Sequence, residues 1–280
     1  MGTLFIVATP IGNREDITLR ALRVLREVAV VAAEDTRHTG QLLAHYGIAA
    51  RYLSLHEHNE RERVADIVAR LDAGDDVALV SDAGTPLIAD PGARIVAAAR
   101  QAGHSVVPIP GPSAVLAAVV SSGIVPGPFT FVGFLPPKRG ARRSALESLR
   151  ALPHPVICYE APHRLAAMLA DAYDVLGDRP CALCRELTKL HEEIAVSTLG
   201  AALEGLKTKP ARGEYVIIIE GAPAPAPVVA DDDELNALLY SLLASGLSPA
   251  AAAKEAAAAT GFDRETCYKR AVAVKQTTAG

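Results

Sequence analysis

The sequence predicts an α/β fold, and two observations predict it. Short apolar runs of strand length recur along the chain, and amphipathic stretches of helical length lie between them. That alternation reads as strand–helix–strand units, and so as parallel sheets covered on both faces. Half of the 280 residues are hydrophobic, enough to fill the cores of about two domains.

In chain order the apolar runs are Leu4–Ala8, Val28–Ala32, Val77–Val80, Val106–Ile109, Val156–Tyr159, Ala182–Cys184 and Tyr215–Ile219. Helix starts stand between them. Asn59 with Glu62 has the spacing of a capping box, and Asp90-Pro91 places a cap residue before a proline at the first helical position. A Gly/Pro-rich seam, SSGIVPGPF (121–129), reads as a hinge between two α/β domains, and GAPAPAPVVADDDE (221–234) reads as a linker. Beyond it, three helices are expected, with Ser248-Pro249 and Asp263 at N-caps and Gly261 ending the middle helix. The resulting layout is an N-terminal α/β domain over 1–120 and a second over 121–222. A Pro/Ala/Asp linker over 223–233 then leads to a small helix-turn-helix-like module over 234–280.

Composition removes several function classes. A formal charge of −4 neither requires nor excludes nucleic acid, and 21 Arg against 7 Lys is read as codon bias before phosphate binding. Four Cys in so long a chain make no disulfide framework. Cys181 and Cys184 form a C-x-x-C inside an apolar strand, and His56-x-His58 has no third ligand nearby, so no metal site is expected. The first residues enter a strand without a basic head or a long apolar run, which predicts a soluble, cytoplasmic protein with no membrane partner.

Ligands of open parallel sheets sit outside the carboxyl ends of the strands. The loops there are Thr9-Pro10-Ile11-Gly12-Asn13, Glu34-Asp35-Thr36-Arg37, Ser81-Asp82-Ala83-Gly84-Thr85-Pro86 and Pro110-Gly111-Pro112-Ser113-Ala114, with Glu160-Ala161-Pro162-His163-Arg164 in the second half. Neither G-x-x-x-x-G-K-[ST] nor a G-x-G-x-x-G after the first strand is present, which disfavours a nucleoside triphosphate or a conventional dinucleotide. Rigid loops of small residues suit a cofactor held through the main chain and carrying little negative charge.

VATPIGNREDIT, EDTRHTGQLL, HEHNE, VSDAGTPLIADPG, PIPGPSA, FVGFLPPK, YEAPHR, RELTKLHEE and ARGEYVIIIEG occur in this order. Together they resemble the motifs of the tetrapyrrole-methylase superfamily, over roughly residues 3–221, and the C-terminal module is similar to the extra domain of one branch. That branch 2′-O-methylates a cytidine of small-subunit (16S) ribosomal RNA. The resemblance implies two α/β domains with S-adenosylmethionine in the cleft between them, a homodimer, and ribosomal RNA or the small ribosomal subunit as partner. Pro10, Asp82, Gly84, Thr85, Ile88, Ser113 and Ala114 fall where the first domain meets the cofactor. Tyr159, Ala161, Pro162, Leu187, Gly213 and Glu214 fall where the second domain meets the adenine. Thr85 stands where relatives often carry Asp, so individual contacts of the tetrapyrrole enzymes do not transfer.

Methyl transfer to a ribose hydroxyl depends mainly on in-line positioning, and a base adds to it. Asp35 and His56 are the leading candidates for that role. Glu34, Glu57, Asn59, Asn13 and Asp16 stand behind them, the last two also having the spacing of a helix N-terminus. RNA phosphates are expected on Lys138, Arg139, Arg142 and Arg143, in a run of five basic residues against one acid, and on Lys269 and Arg270 of the C-terminal module. The rival readings are a tetrapyrrole methyltransferase and a non-catalytic RNA-binding assembly factor on the same scaffold.

Overall fold

The structure is a computed structural model that describes residues 1–223 and 231–278. The chain divides into two compact units, residues 1–222 and 223–280.

The first unit holds two five-stranded sheets. The first sheet comprises β1 (Thr3–Val7), β2 (Val30–Ala33), β3 (Tyr52–Ser54), β4 (Val77–Val80) and β5 (Ser105–Ile109). Its order is β3-β2-β4-β1-β5, and every neighbouring pair is parallel. Helices α1 (Leu19–Glu27) and α2 (Thr36–His45) cover one face through Ala21, Leu22, Val24, Leu25, Leu42 and Leu43. Helices α3 (Glu60–Asp72) and α4 (Ala93–Gln101) cover the other through Ile67, Leu71, Ile95 and Ala99. Both faces are sealed, so β2 and β4 are buried at every position and read as unbroken apolar runs.

Two helix starts differ from expectation. Asn59 precedes α3 but makes no side-chain cap; its amide accepts from the His56 N–H and donates to the Ser54 carbonyl, tying the preceding loop instead. Helix α4 begins at Ala93, after Gly92, so Asp90-Pro91 stays in the loop. The first turn of α4 is held by Glu60 of α3, whose Oε1 accepts from the N–H groups of Gly92 and Arg94, both at 3.0 Å.

The second sheet comprises β6 (Thr130–Phe134), β7 (Val156–Glu160), β8 (Pro180–Arg185), β9 (Glu193–Thr198) and β10 (Tyr215–Ile219), in the order β6-β7-β10-β8-β9. Here the expected all-parallel sheet is corrected. Only β6 and β7 run parallel; β7–β10, β10–β8 and β8–β9 are antiparallel. The β8–β9 connection, residues 186–192, contains no helix, and so short a connection returns the chain antiparallel. Helices α6 (Arg139–Leu149), α7 (Pro162–Leu176) and α8 (Leu199–Thr208) cover one face, among them Leu146, Leu165, Met168, Leu169 and Leu199. Helix α5 (Ala114–Ser122) covers the other face with Val115 and Ala118 against Ile157, Ala182, Cys184, Val216 and Ile218. The core therefore passes from the first sheet to the second before the 121–129 seam. Cys181 and Cys184 pack in the cores on opposite faces of β8, a geometry in which the two thiols diverge.

The second unit contains α9 (Asp232–Ala244), α10 (Pro249–Thr260) and α11 (Arg264–Thr278) around Leu235, Leu239, Ala252, Ala253, Ala256, Cys267 and Ala271. Asp231, Ser248 and Asp263 each cap a helix through the N–H three residues on. Gly261, at φ 76°, ends α10 in the left-handed conformation. Residues 224–230 of the expected linker lie outside the described residues, and Asp232 and Asp233, also assigned to it, form the first turn of α9.

Candidate active site

At the carboxyl ends of β1 and β4 the chain forms a braced platform. Thr9 and Gly84 pair through two backbone hydrogen bonds of 2.9 Å, and the Thr9 hydroxyl donates to the Ser81 carbonyl. Gly84 reaches this pairing at φ 83°, a conformation that carries no steric cost for glycine. The Thr85 hydroxyl donates to the Pro112 carbonyl at 3.1 Å, fixing the loop after β4 to the loop after β5. The four non-glycine residues with positive φ among the described residues are Leu87, Ala89, Glu186 and Thr188. They sit in the loops after β4 and β8, and such outliers persist only where their surroundings hold them.

Between these loops lies a cavity of about 390 Å³, in the range of small-molecule sites. Eleven of the thirteen cofactor positions expected from the sequence line it: Asp82, Gly84, Thr85, Ile88, Ser113, Ala114, Tyr159, Ala161, Pro162, Leu187 and Glu214. Pro10 and Gly213 do not. Pro10 is buried behind the wall, and Gly213 backs Glu186. The lining also includes Asp90, Phe134, Glu186, Lys189 and Tyr215, which the sequence reading did not assign. Phe134 and Glu186 stood inside quoted motifs, but which way they face follows from strand pairing: Phe134 is registered with Tyr159, and their rings lie 5.5 Å apart.

The cavity wall is acidic and offers no free cation among its lining residues. Lys189 Nζ donates to Glu186 at 3.0 Å and to Glu214 at 2.9 Å. The stem of Lys189 lies on Gly12, where an added Cβ would come within 2.3 Å of its Cγ, and the Asn13 N–H donates to the Thr188 hydroxyl at 3.2 Å. Asp82 Oδ1 accepts from the Asp35 N–H at 2.9 Å. Burial pushes the Asp90 carboxyl up to about 6, with Glu34 adding to it, the Ser81 hydroxyl opposing, and Asp82 adding again. Burial also raises Glu34, reinforced by Asp82 and opposed by His56. The Tyr159 hydroxyl rises to about 12, through burial first and then the Asp90 charge.

Neither expected catalytic residue lines the cavity. The Asp35 carboxylate caps α2, accepting from the N–H groups of Arg37 and His38, and the Arg37 side-chain hydrogen bond holds it below the usual carboxylate range. His56 acts on the Glu34 charge, and its Nδ1 is buried and lacks a hydrogen-bond partner.

Of the expected phosphate contacts, burial removes Arg142. Arg142 is buried, its Nε and Nη2 donating to Asp171 Oδ2 at 2.8 and 2.6 Å, so it is a structural residue. Arg143 bridges Asp171 and Asp174, and Arg139 touches Asp171 while remaining largely exposed. In the second unit Lys269 pairs with Glu265 on the surface, and Arg270 bonds Asp232 and lies over the Phe262 ring.

Fold and cavity together define a class: a two-sheet α/β protein with a small-molecule-sized cavity at the carboxyl ends of a parallel sheet. Residues 3–203 match the Tetrapyrrole (Corrin/Porphyrin) Methylases, and residues 229–275 match the RsmI C-terminal HTH domain. The chain belongs to the tetrapyrrole methylase family, in the branch of the ribosomal RNA small subunit methyltransferase I proteins. The protein of that name from Xylella fastidiosa is 48% identical over 278 residues, covering 95% of this chain and 98% of its own. The one from Micromonospora olivasterospora is 46% identical, covering 96% and 86%. Among solved structures, the methyltransferase CobJ superposes with a TM-score of 0.62 at 16% identity, over 79% of this chain and 95% of its own. A Thermus thermophilus uroporphyrin-III C-methyl transferase bound to S-adenosyl homocysteine gives 0.57 at 20%, over 78% and 97%.

Proposed function

We propose that this protein transfers a methyl group from S-adenosylmethionine to the ribose 2′-oxygen of a cytidine in small-subunit ribosomal RNA, working as a homodimer in the cytoplasm. The observation that carries the reading is the cavity itself, lined by eleven positions that the family resemblance assigns to the cofactor. Its chemistry fits. Asp82 puts negative charge in the wall and Lys189 is held by two carboxylates, which suits a cationic ligand and repels a phosphate.

The bound cofactor supplies a methyl already activated on a sulfonium, so the protein's task is positioning with water excluded. Gly84 and Thr85 present backbone and a short side chain from a loop braced at both ends, while Leu187, Tyr215 and Val216 give the opposite end a dry wall. Acceptor RNA is held by exposed cations outside the cavity. Replacing Lys138 and Arg139 together by Ala is expected to weaken RNA binding and shallow its salt dependence by a slope of about 1–2, with cofactor affinity unchanged. Filter binding across a salt series checks this.

The deciding experiment incubates the protein with labelled S-adenosylmethionine and small ribosomal subunits lacking the modification. Label on a single cytidine 2′-oxygen is the expected result. Label only on a tetrapyrrole, or none with cofactor bound, rejects the reading.

A further inference from the structure

The cavity has a closed end and an open end. At the closed end Tyr215 is 7% exposed and Cys184 fully buried, whereas at the open end Ile88 is 42% and Phe134 53% exposed. The open end is where a large acceptor such as RNA can approach. The loop carrying Ile88, Ala89 and Asp90 forms one lip there, and an added Cβ on Gly133, beside Phe134, would lie 3.9 Å from the Ala89 Cβ. Asp90 lines the cavity together with Tyr159 of the other sheet, whose hydroxyl its charge raises.

The other carboxylates of the lining are already engaged. Asp82 holds the Asp35 N–H, Glu160 holds the Ala161 N–H with its side chain sealed from solvent, and Glu186 and Glu214 hold Lys189. Asp90 is hydrogen-bonded by the Ser81 hydroxyl, and among the described residues no ion pair joins it to a cation. The groups facing it are Ser81 and Asp82 from the loop after β4, Glu34 from the loop after β2, and Tyr159 at the end of β7. Glu34 in turn feels His56 and Glu57, from the segment after β3.

We propose that Asp90 is the proton acceptor for the ribose hydroxyl that enters at this open end. The inference rests on the methyl-transfer reading above. The ribose 2′-oxygen forms the new bond to the methyl carbon with its lone pair, and the electrons of the broken carbon–sulfur bond stay on sulfur, which becomes a neutral thioether. The 2′-proton passes to an Oδ of Asp90 and from there to solvent through the open mouth. A carboxyl raised to about 6 is still ionised at neutral pH and is a stronger base than an ordinary aspartate.

The test is Asp90→Asn, which keeps the shape and removes the base. The variant loses a like charge beside Glu34 and Asp82, so it is expected to melt no lower than the parent. With saturating cofactor and unmodified small subunits, single-turnover methylation should fall about 10²–10⁴-fold. Cofactor affinity by calorimetry should stay within about threefold, and the acid limb of the parent's rate profile should disappear. Asp90→Glu should keep that limb. In the parent without cofactor, the Asp90 carboxyl carbon should titrate above an ordinary aspartate, near 6, by NMR. An unchanged rate in Asp90→Asn overturns it, and so does a loss of cofactor affinity that matches the loss of rate, which would make Asp90 a cofactor-holding group. A parent protein that binds cofactor yet methylates no ribosomal RNA overturns the underlying reading, a result separate from any effect of the substitution.

Discussion

Arg142→Ala is expected to destabilise the second α/β half by about 3–5 kcal/mol, the cost of stripping one partner from a buried ion pair. The Arg142 side chain is 6% exposed and that of Asp171 4%. Two guanidinium nitrogens of Arg142 donate to Asp171 Oδ2, and a third donates to the Pro137 carbonyl at 3.1 Å. The network ties α6 to α7 and to the loop entering α6. Burial alone would raise the Asp171 carboxyl, but Arg142, then Arg139 and Arg143, hold it below its ordinary value. The sign for stability follows: a depressed folded-state value contributes stability fully present above the unfolded carboxylate value of about 3.9, lost as pH falls below it toward the folded value. Urea unfolding at neutral pH checks the prediction, with Arg150→Ala as comparator. That residue pairs with Glu147 on the surface, where an ion pair is worth about 0–1 kcal/mol. Equal midpoints for the two variants would reject the structural role given to Arg142.

Arg142 also shows where sequence reading stops. Five basic residues in a short run look like a phosphate patch, but the partner that takes up Arg142 is Asp171, 29 residues away. The central strands were legible for the opposite reason. Burial on both faces of β2 and β4 leaves an unbroken apolar run that needs no knowledge of neighbours. The strands that escaped notice, β3, β6 and β9, all stand at sheet edges, where exposed positions admit Tyr52, Gly133 and the polar ends of EIAVST. Loop composition located the cavity, because Pro, Gly and small polar residues after a strand mark backbone that must be rigid. It did not rank the acids there. Asp90 before a proline has the local form of a helix cap, and only the fold places it on the cavity lip beside Glu34 and Asp82.

Gly213→Ala is expected to weaken S-adenosylmethionine binding at least tenfold while shifting the melting temperature by only a few degrees. Gly213 adopts φ 74°, where a side chain adds a strain of about 1–2 kcal/mol. The larger effect is local. A Cβ there would come within 2.5 Å of Glu186 Cδ, Cγ and Oε1. Glu186 has little room to yield, because its carboxylate accepts from Lys189 Nζ at 3.0 Å and from the Glu214 N–H at 3.1 Å, and its own N–H donates to the Glu214 carbonyl. Glu186 is also held at φ 51°, so swinging its side chain aside disturbs a backbone already in a sparsely populated conformation. Glu186, Leu187, Lys189 and Glu214 form one wall of the cavity, and they would move together. The glycine thus matters by keeping clear the space that Glu186 fills, behind the cavity wall. Calorimetric titration of the cofactor, with thermal melts of parent and variant, separates the outcomes. Weakened binding with a preserved melt places the cofactor against this wall, whereas unchanged affinity means the ligand never reaches it and removes Leu187 and Glu214 from the cofactor site.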